Sequence, residues 1–270
     1  LAEQAKILCD EGEEKNLGEK AMQERFDRWN TCSLCEQEYH GAVLCALSWA
    51  CWKTYVGRPE ADGFRISAMS ELGNGLHEAK HHDALSVREA ELSMRQRLGD
   101  PAQNIIAVQG NLASTYQMLG RLEPAARMRQ EVYSRKLEFY GAEHYSTLLA
   151  AYNYASTCSR LHRYKETKTL MLRTIPVARR TLGDSNDVTL RMRSIYANAL
   201  YEDSGATLDD IRCAVTTLEE TGRIARRVLG GRHPTTETIE RDLRNARADL
   251  CARETQSSEA DDLAARLRGL

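Results

Sequence analysis

NLASTYQMLGRLEPAARMRQEVYSRKLEFYGAEHYST, residues 111–147, contains the junction and the stop of the unit from which this chain is built. Leu112, Tyr116 and Leu119, preceded by Ile105, recur at helical spacing, and a second apolar series runs through Leu122, Ala126, Val132 and Leu137. Gly120 and Arg121 part the two series as a tight connection. Gly141 ends the second, since a residue without a Cβ takes the left-handed conformation that closes a helix at little cost. One unit is therefore two short helices.

Working outward, the same features return at a fixed step. Gly57, Gly99, Gly141 and Gly183 stand 42 residues apart, and Ala113, Ala155 and Ala197 keep that step inside NLASTY, NYASTC and YANALY. Leu112 falls on Tyr154, Leu119 on Leu161 and Arg121 on Arg163, while Leu98-Gly99, Tyr140-Gly141, Leu182-Gly183 and Leu229-Gly230 close successive units. The last interval is five residues longer, and SGATLDD at 204–210, between two helical stretches, accommodates the excess. Pro101 and Pro234 follow unit boundaries, where a first-turn proline loses no hydrogen bond.

Helices of roughly 16 residues, ~24 Å long, expose more apolar surface as a pair than the pair can cover, so neighbours must stack. Ala113, Ala155 and Ala197 permit close approach, and Tyr116, Tyr154 and Leu200 fill the wider gaps. A period of this length is the mark of a repeat array. The expected fold is all-α: a right-handed α-solenoid of tandem helix-turn-helix repeats. The expected divisions are a divergent Cys- and Trp-rich N-terminal repeat or cap at 1–56, repeats at 57–98, 99–140, 141–182 and 183–229, and a C-terminal repeat with capping helix at 230–270.

The stretch 111–147 resembles the tetratricopeptide (TPR) repeats of the kinesin light chain family, whose pattern reads N-L-A-x-x-Y-x-x-x-G-R/K-x-x-E-A followed by L-G-x-x-H-P. The correspondence is best over 99–202, good at VLGGRHPTT (228–236) and weaker at 57–98, which keeps Leu72, Leu76 and Ala84 but lacks N-L-A. The Gly-Arg inter-helix turn favours tetratricopeptide over HEAT or armadillo arrays of similar period. Glu143-His144-Tyr145 and Ser185-Asn186-Asp187 replace His-Pro, and Ile195 stands where Asn111 and Asn153 would place an asparagine. The resemblance implies a scaffold that binds a peptide or partner protein on its concave face without catalysis. The first helix of each pair lines that face, so the peptide-binding groove is expected at Asn111, Thr115, Asn153, Thr157 and Arg191. An asparagine amide both donates to and accepts from an extended backbone.

Among 270 residues no 18-residue apolar run and no Gly/Ser-rich linker occurs, so neither a membrane span nor a hinge is expected. The formal charge is −2 and the pI 6.4, which argues against nucleic acid as a partner. Residues 160–193 nevertheless hold Arg160, Arg163, Lys165, Lys168, Arg173, Arg179, Arg180, Arg191 and Arg193 against Glu166, Asp184 and Asp187. That excess suggests an acidic partner. Eight cysteines without disulfide-scaffold spacing point to a reducing compartment, the cytoplasm. A chain beginning at Leu1 reads as a piece of a longer protein.

Chemistry-bearing patterns are sparse. Cys32, Cys35, His40 and Cys45 offer a C-x2-C pair with a later His and Cys, and a zinc-finger adaptor at 32–51 is the alternative to the plain scaffold. The repeat register competes with it: Cys32 and Cys35 then end one helix, and Cys45, Ala46, Trp49 and Trp52 form the apolar face of the next, where free cysteines act as small hydrophobes. His77, His81 and His82 in LHEAKHHD are expected on an exposed turn. No nucleophile elbow, P-loop or dinucleotide fingerprint is present, and LGNGLHEA lacks a preceding strand and a third glycine. No enzyme activity, cofactor or small-molecule substrate is expected.

Overall fold

Glycine stops and short polar turns cut the described residues into twelve α-helices and one 3-10 turn. In this computed structural model the backbone of residues 1–268 and the side chains of residues 1–256 are described. The helices are α1 (Ala2–Glu14), α2 (Glu19–Phe26), α3 (Gly41–Tyr55), α4 (Gly63–Glu78), α5 (Ala84–Arg97), α6 (Ala102–Met118), α7 (Leu122–Tyr140), α8 (Tyr145–Arg160), α9 (Tyr164–Leu182), α10 (Asp187–Tyr201), α11 (Leu208–Leu229) and α12 (Pro234–Arg268), with the 3-10 turn at Asp27–Trp29. Gly99, Gly141, Gly183 and Gly230 take φ values of 67, 80, 88 and 89°, in the region an L side chain resists. Gly57 does not: α3 ends on Val56 in right-handed geometry. Within units, Gly120 (φ 73°) and His162 (φ 57°) turn the chain at equivalent positions.

Contacts divide the chain into two units, Leu1–Met128 and Arg129–Leu270, the division falling inside α7. Two apolar centres mark the N-terminal part of the first. Phe26, Trp29, Tyr55 and Phe64 gather with Ala5, Cys9, Cys51 and Ala68, and the Tyr55 and Phe64 rings stack at 5.2 Å. Next to it Leu72, Leu76 and Ala84 pack with Cys45, Trp52, Val87 and Met118. Gly75 brings α4 against α3: a Cβ there would lie 2.6 Å from Ser48 Cβ and 3.1 Å from Cys45 Cα. A buried polar knot also ties α4 to α5. Arg88 donates to Glu91 Oε2 (2.8 Å), to the Ser70 carbonyl and to Asn74 Oδ1, so its charge is paired and hydrogen-bonded as burial demands.

The second unit centres on Leu190, Ala197, Leu200, Ile211, Ala214, Leu218, Ala225, Ile239 and Ala246. The expected small residues are all fully buried, Ala113 in the first unit and Ala155 and Ala197 in the second. The excess residues of the long interval sit in the turn 202–207 between α10 and α11. Thr207 closes it: its hydroxyl accepts from the Asp210 amide (3.1 Å) while Asp210 accepts from the Thr207 amide (2.9 Å), a reciprocal capping box. Pro176 interrupts the hydrogen-bond ladder of α9.

Two stretches depart from the repeat expectation. Cys32 and Cys35 do not end a helix. The 3-10 turn is followed by a tight hairpin in which Thr31 pairs with Glu38, the Cys32 amide donates to Gln37 O (2.9 Å) and Tyr39 to Asn30 O (2.8 Å). On α3, Leu47, Ser48, Cys51 and Tyr55 are the buried residues and Trp52 is partly buried, whereas Ala46 is exposed and Trp49 is 40% exposed. The chain from Pro234 to Arg268 is one helix and not a pair.

Candidate functional site

In the second unit α8 and α10, the first helices of successive hairpins, and the single helix α12 border a hollow of about 660 Å³. They supply Tyr152, Ser156 and Arg160 from α8, Arg191, Ser194, Ile195 and Asn198 from α10, and Thr238, Ile239, Arg241, Asp242 and Asn245 from α12. A mixed surface of this kind, apolar side chains between fixed polar groups, suits a peptide better than a purely apolar ligand.

Arg191, expected in the groove, lines this hollow. Its guanidinium pairs with Asp187 (2.5 Å) one turn earlier, lies 6.0 Å from the Tyr152 ring centroid and donates to Thr235 Oγ1 (3.4 Å), whose own hydroxyl donates to Asp187 (2.7 Å). That clamp fixes a cation that otherwise would sample many rotamers. Arg160 and Arg241 stand on the same hollow, Arg241 reaching Asp242 Oδ1 at 3.4 Å.

The floor is acidic and amide-lined. Asp242, only 5% exposed, accepts at Oδ2 from Ser194 Oγ (3.2 Å) and Asn198 Nδ2 (2.9 Å). Asn198 Oδ1, buried on the same hollow, accepts no hydrogen bond among the described residues. A buried carbonyl in that condition is costly until a donor arrives. Asp242 is the residue that the sequence analysis missed. Carried across the longer interval, the position held by Asn111, Asn153 and Ile195 lands on it, and the five extra residues of the α10–α11 turn hid the match.

The other expected groove residues are placed differently. Asn111 is exposed on α6 in the first unit, and Asn153 is half-buried on α8 in the second, where it is not among the residues bordering the hollow. Thr115 and Thr157 are both 0% exposed and face packed neighbours, a correction to their expected place in the groove. The Thr115 hydroxyl donates to Asn111 O (3.2 Å) and lies 3.3 Å from His77 Nδ1. Thr157 Oγ1 donates to Asn153 O (3.1 Å) and accepts from Arg129 (2.8 Å), which also reaches Asn153 O (2.7 Å). Burial pushes the Arg129 pKa down to about 10. A step of four residues turns ~40° past a full helical revolution, enough to carry these threonines from the solvent side into the neighbouring helix.

Among the described residues no four ligand atoms gather as a metal set. Cys32 and Cys35 lie together in the hairpin and His40 precedes α3, exposed to solvent. Cys45 packs instead against Leu72, Leu76 and Ala84. Among the described residues the ligand atoms of His81, His82 and Asp83 alone gather three at a time within 4.8 Å, on an exposed turn. His77 is not on that turn: it is half-buried in α4, and burial, with Arg88 nearby, lowers its pKa.

The basic stretch 160–193 is also less bare than its sequence suggests. Acids outside the stretch enter it: Lys168 pairs with Asp203 (2.8 Å), Arg180 with Glu143 (2.6 Å) and Arg193 with Glu220 (2.9 Å). Arg179 pairs with Asp184 (2.5 Å) within it.

No protein-family profile and no curated protein matches the sequence. Solved structures do match the fold. Two crystal structures of a Podosopora anserina kinesin light chain with nearly identical TPR-like repeats, one of them a variant, align with TM-scores of 0.58 and 0.56 at 19% identity, covering 76% and 79% of this chain and 93% and 96% of theirs. BtubC (BKLC) from P. vanneervenii aligns with a TM-score of 0.61 at 16% identity over 84% of this chain and 92% of that one. The chain is an all-α solenoid with the fold of these TPR-like kinesin light chain structures. Identities this low carry the fold alone.

Proposed function

We propose that the chain is a non-catalytic protein-interaction scaffold that holds an extended segment of a partner protein in the hollow bordered by α8, α10 and α12. The observation that carries this reading is the floor formed by Asp242 and Asn198: a buried carboxylate already held by Ser194 and Asn198, beside a buried amide oxygen that lacks a donor. A backbone N–H of an extended peptide supplies that donor without dictating sequence. Arg160, Arg191 and Arg241 around the floor favour an acidic side chain in the same segment. Asn111, exposed on α6, offers a further amide in the first unit, and Asn153 a second on α8.

Peptides selected from a random display library on the full chain test this. Enrichment of acidic sequences, with binding lost at least about ten-fold in Asn198→Ala and Arg191→Ala and unchanged in Arg212→Ala on the exposed side of α11, is the expected result. Selected peptides that bind all three variants alike would remove the hollow as the site. The eight free cysteines support a cytoplasmic setting, and among the described residues no helix is long and apolar enough to cross a membrane.

A further inference from the structure

The hairpin at residues 30–40 has no part in the hollow, yet it is the most chemically defined feature of the N-terminal region. Its bridge and its two cross-hairpin backbone bonds hold Cys32-Ser33-Leu34-Cys35 as a closed turn, with Glu36 at φ 56° completing it. Inside that turn the amide of Leu34 points at Cys32 Sγ (3.5 Å), and Cys35 follows one residue later in the same closed turn. Cys35 is exposed and Leu34 at the tip is 93% exposed, so reagents reach the pair. The other cysteines differ in one respect or another: Cys9, Cys51 and Cys158 are buried, Cys45 packs on the α4 side, and Cys213 and Cys251 are exposed on separate helices.

We infer that Cys32 and Cys35 form a reversible dithiol–disulfide modification site, oxidised by low-molecular-weight disulfides of the glutathione type. The geometry supplies both requirements of thiol–disulfide exchange, an attacking sulfur that faces an amide donor and a resolving thiol three residues on in the same closed turn. Amide donors aimed at a sulfur favour its anionic form, and the Cys35 and Leu34 amides, with the Cys35 thiol, bring Cys32 down to about 7. The Cys32 thiolate attacks one sulfur of the small disulfide, whose S–S bond breaks as one thiolate departs. Cys35 then gives its proton to that departing thiolate, and its sulfur displaces the second small thiolate from Cys32. The protein has lost two electrons and two protons, and the small disulfide has become two thiols once the second thiolate takes up a proton.

The purified full chain, equilibrated in glutathione buffers of graded oxidising strength and mapped by mass spectrometry after alkylation, tests the assignment. The expected result is a loss of two hydrogens confined to the peptide holding Cys32 and Cys35, with the other six cysteines alkylated and full reversal by a dithiol reductant. Cys35→Ser is expected to stop at a persistent glutathione adduct on Cys32. Cys32→Ser is expected to lose the preferential reaction, its remaining thiols reacting no faster than Cys213 and Cys251. Circular dichroism of both variants separates this from loss of fold, and the hairpin's exposure leaves the helices intact. Cys32 and Cys35 staying reduced while Cys213 or Cys251 is glutathionylated would overturn the proposal, as would a chain isolated with zinc held by those two sulfurs. Peptide capture by the α8–α10–α12 hollow is a separate readout, so failure of either claim leaves the other standing.

Discussion

Gly75 and Gly110 are both helix-interior glycines, and their surroundings set opposite expectations. A Cβ at Gly75 collides with Ser48 and with the backbone of Cys45, whereas at Gly110 it meets nothing within 4 Å. Gly75→Ala is therefore expected to destabilise the chain by about 1–3 kcal/mol through overpacking, and Gly110→Ala to stabilise it by roughly 0.5–1 kcal/mol through helix propensity. Thermal and urea unfolding of the two variants read the difference in sign. Glu71 makes a second test. Burial raises its pKa despite the Asn74 and Asn30 amides and the Arg88 charge, so ionisation costs more in the folded chain than in the unfolded one. A raised folded pKa contributes stability below the unfolded value, lost as pH rises through the folded value. Glu71→Gln is thus expected to raise the melting temperature at pH 7 and to match the parent below about pH 4, near and under the ordinary carboxylate range. Sequence alone read residue roles well where the backbone decides them, as at Gly99 or Gly141, and poorly where a rotation of tens of degrees decides them. Thr115 and Thr157 look outward on a coarse helical wheel and are fully buried.

At the scale of elements, periodicity located α6, α7, α8 and α9 because each carries an apolar stripe, a turn residue at its start and a left-handed stop at its end. The hairpin at 30–40 was invisible to the same reading. A single bridge and two backbone bonds leave no periodic trace, and extrapolated register put a helix end there. The α11 start illustrates the reverse: Thr207 and Asp210 were inside a segment read as an inserted turn, yet they form the cap from which a 22-residue helix runs. Thr207→Ala is expected to cost about 1 kcal/mol, the usual value of an N-cap hydroxyl. Urea unfolding checks the magnitude, and hydrogen exchange at the first turn of α11 checks its place.

For the whole chain, nearest-neighbour packing predicts that damage stays local. Leu218, fully buried at the centre of the second unit, is a suitable probe. Leu218→Ala is expected to cost about 2–5 kcal/mol, with hydrogen exchange accelerated across α10, α11 and α12 and unchanged in α3 and α4. Uniform acceleration over all helices would mean that the chain melts as one cooperative body. The local excess of positive charge at 160–193 is also smaller in three dimensions than along the chain, since Asp203, Glu143 and Glu220 answer cations that look bare in a linear window. Ion pairs between helices are a tertiary property, and a window of sequence has no access to them.

The six-residue link from Glu202 to Thr207 shows how such an array is edited. Because the capping box restarts α11 independently of what comes before it, extra chain at Ser204–Ala206 adds length without rotating the helices on either side. That link is a natural splice point, where an epitope tag or a small reporter domain could be carried while α10 and α11 keep their register.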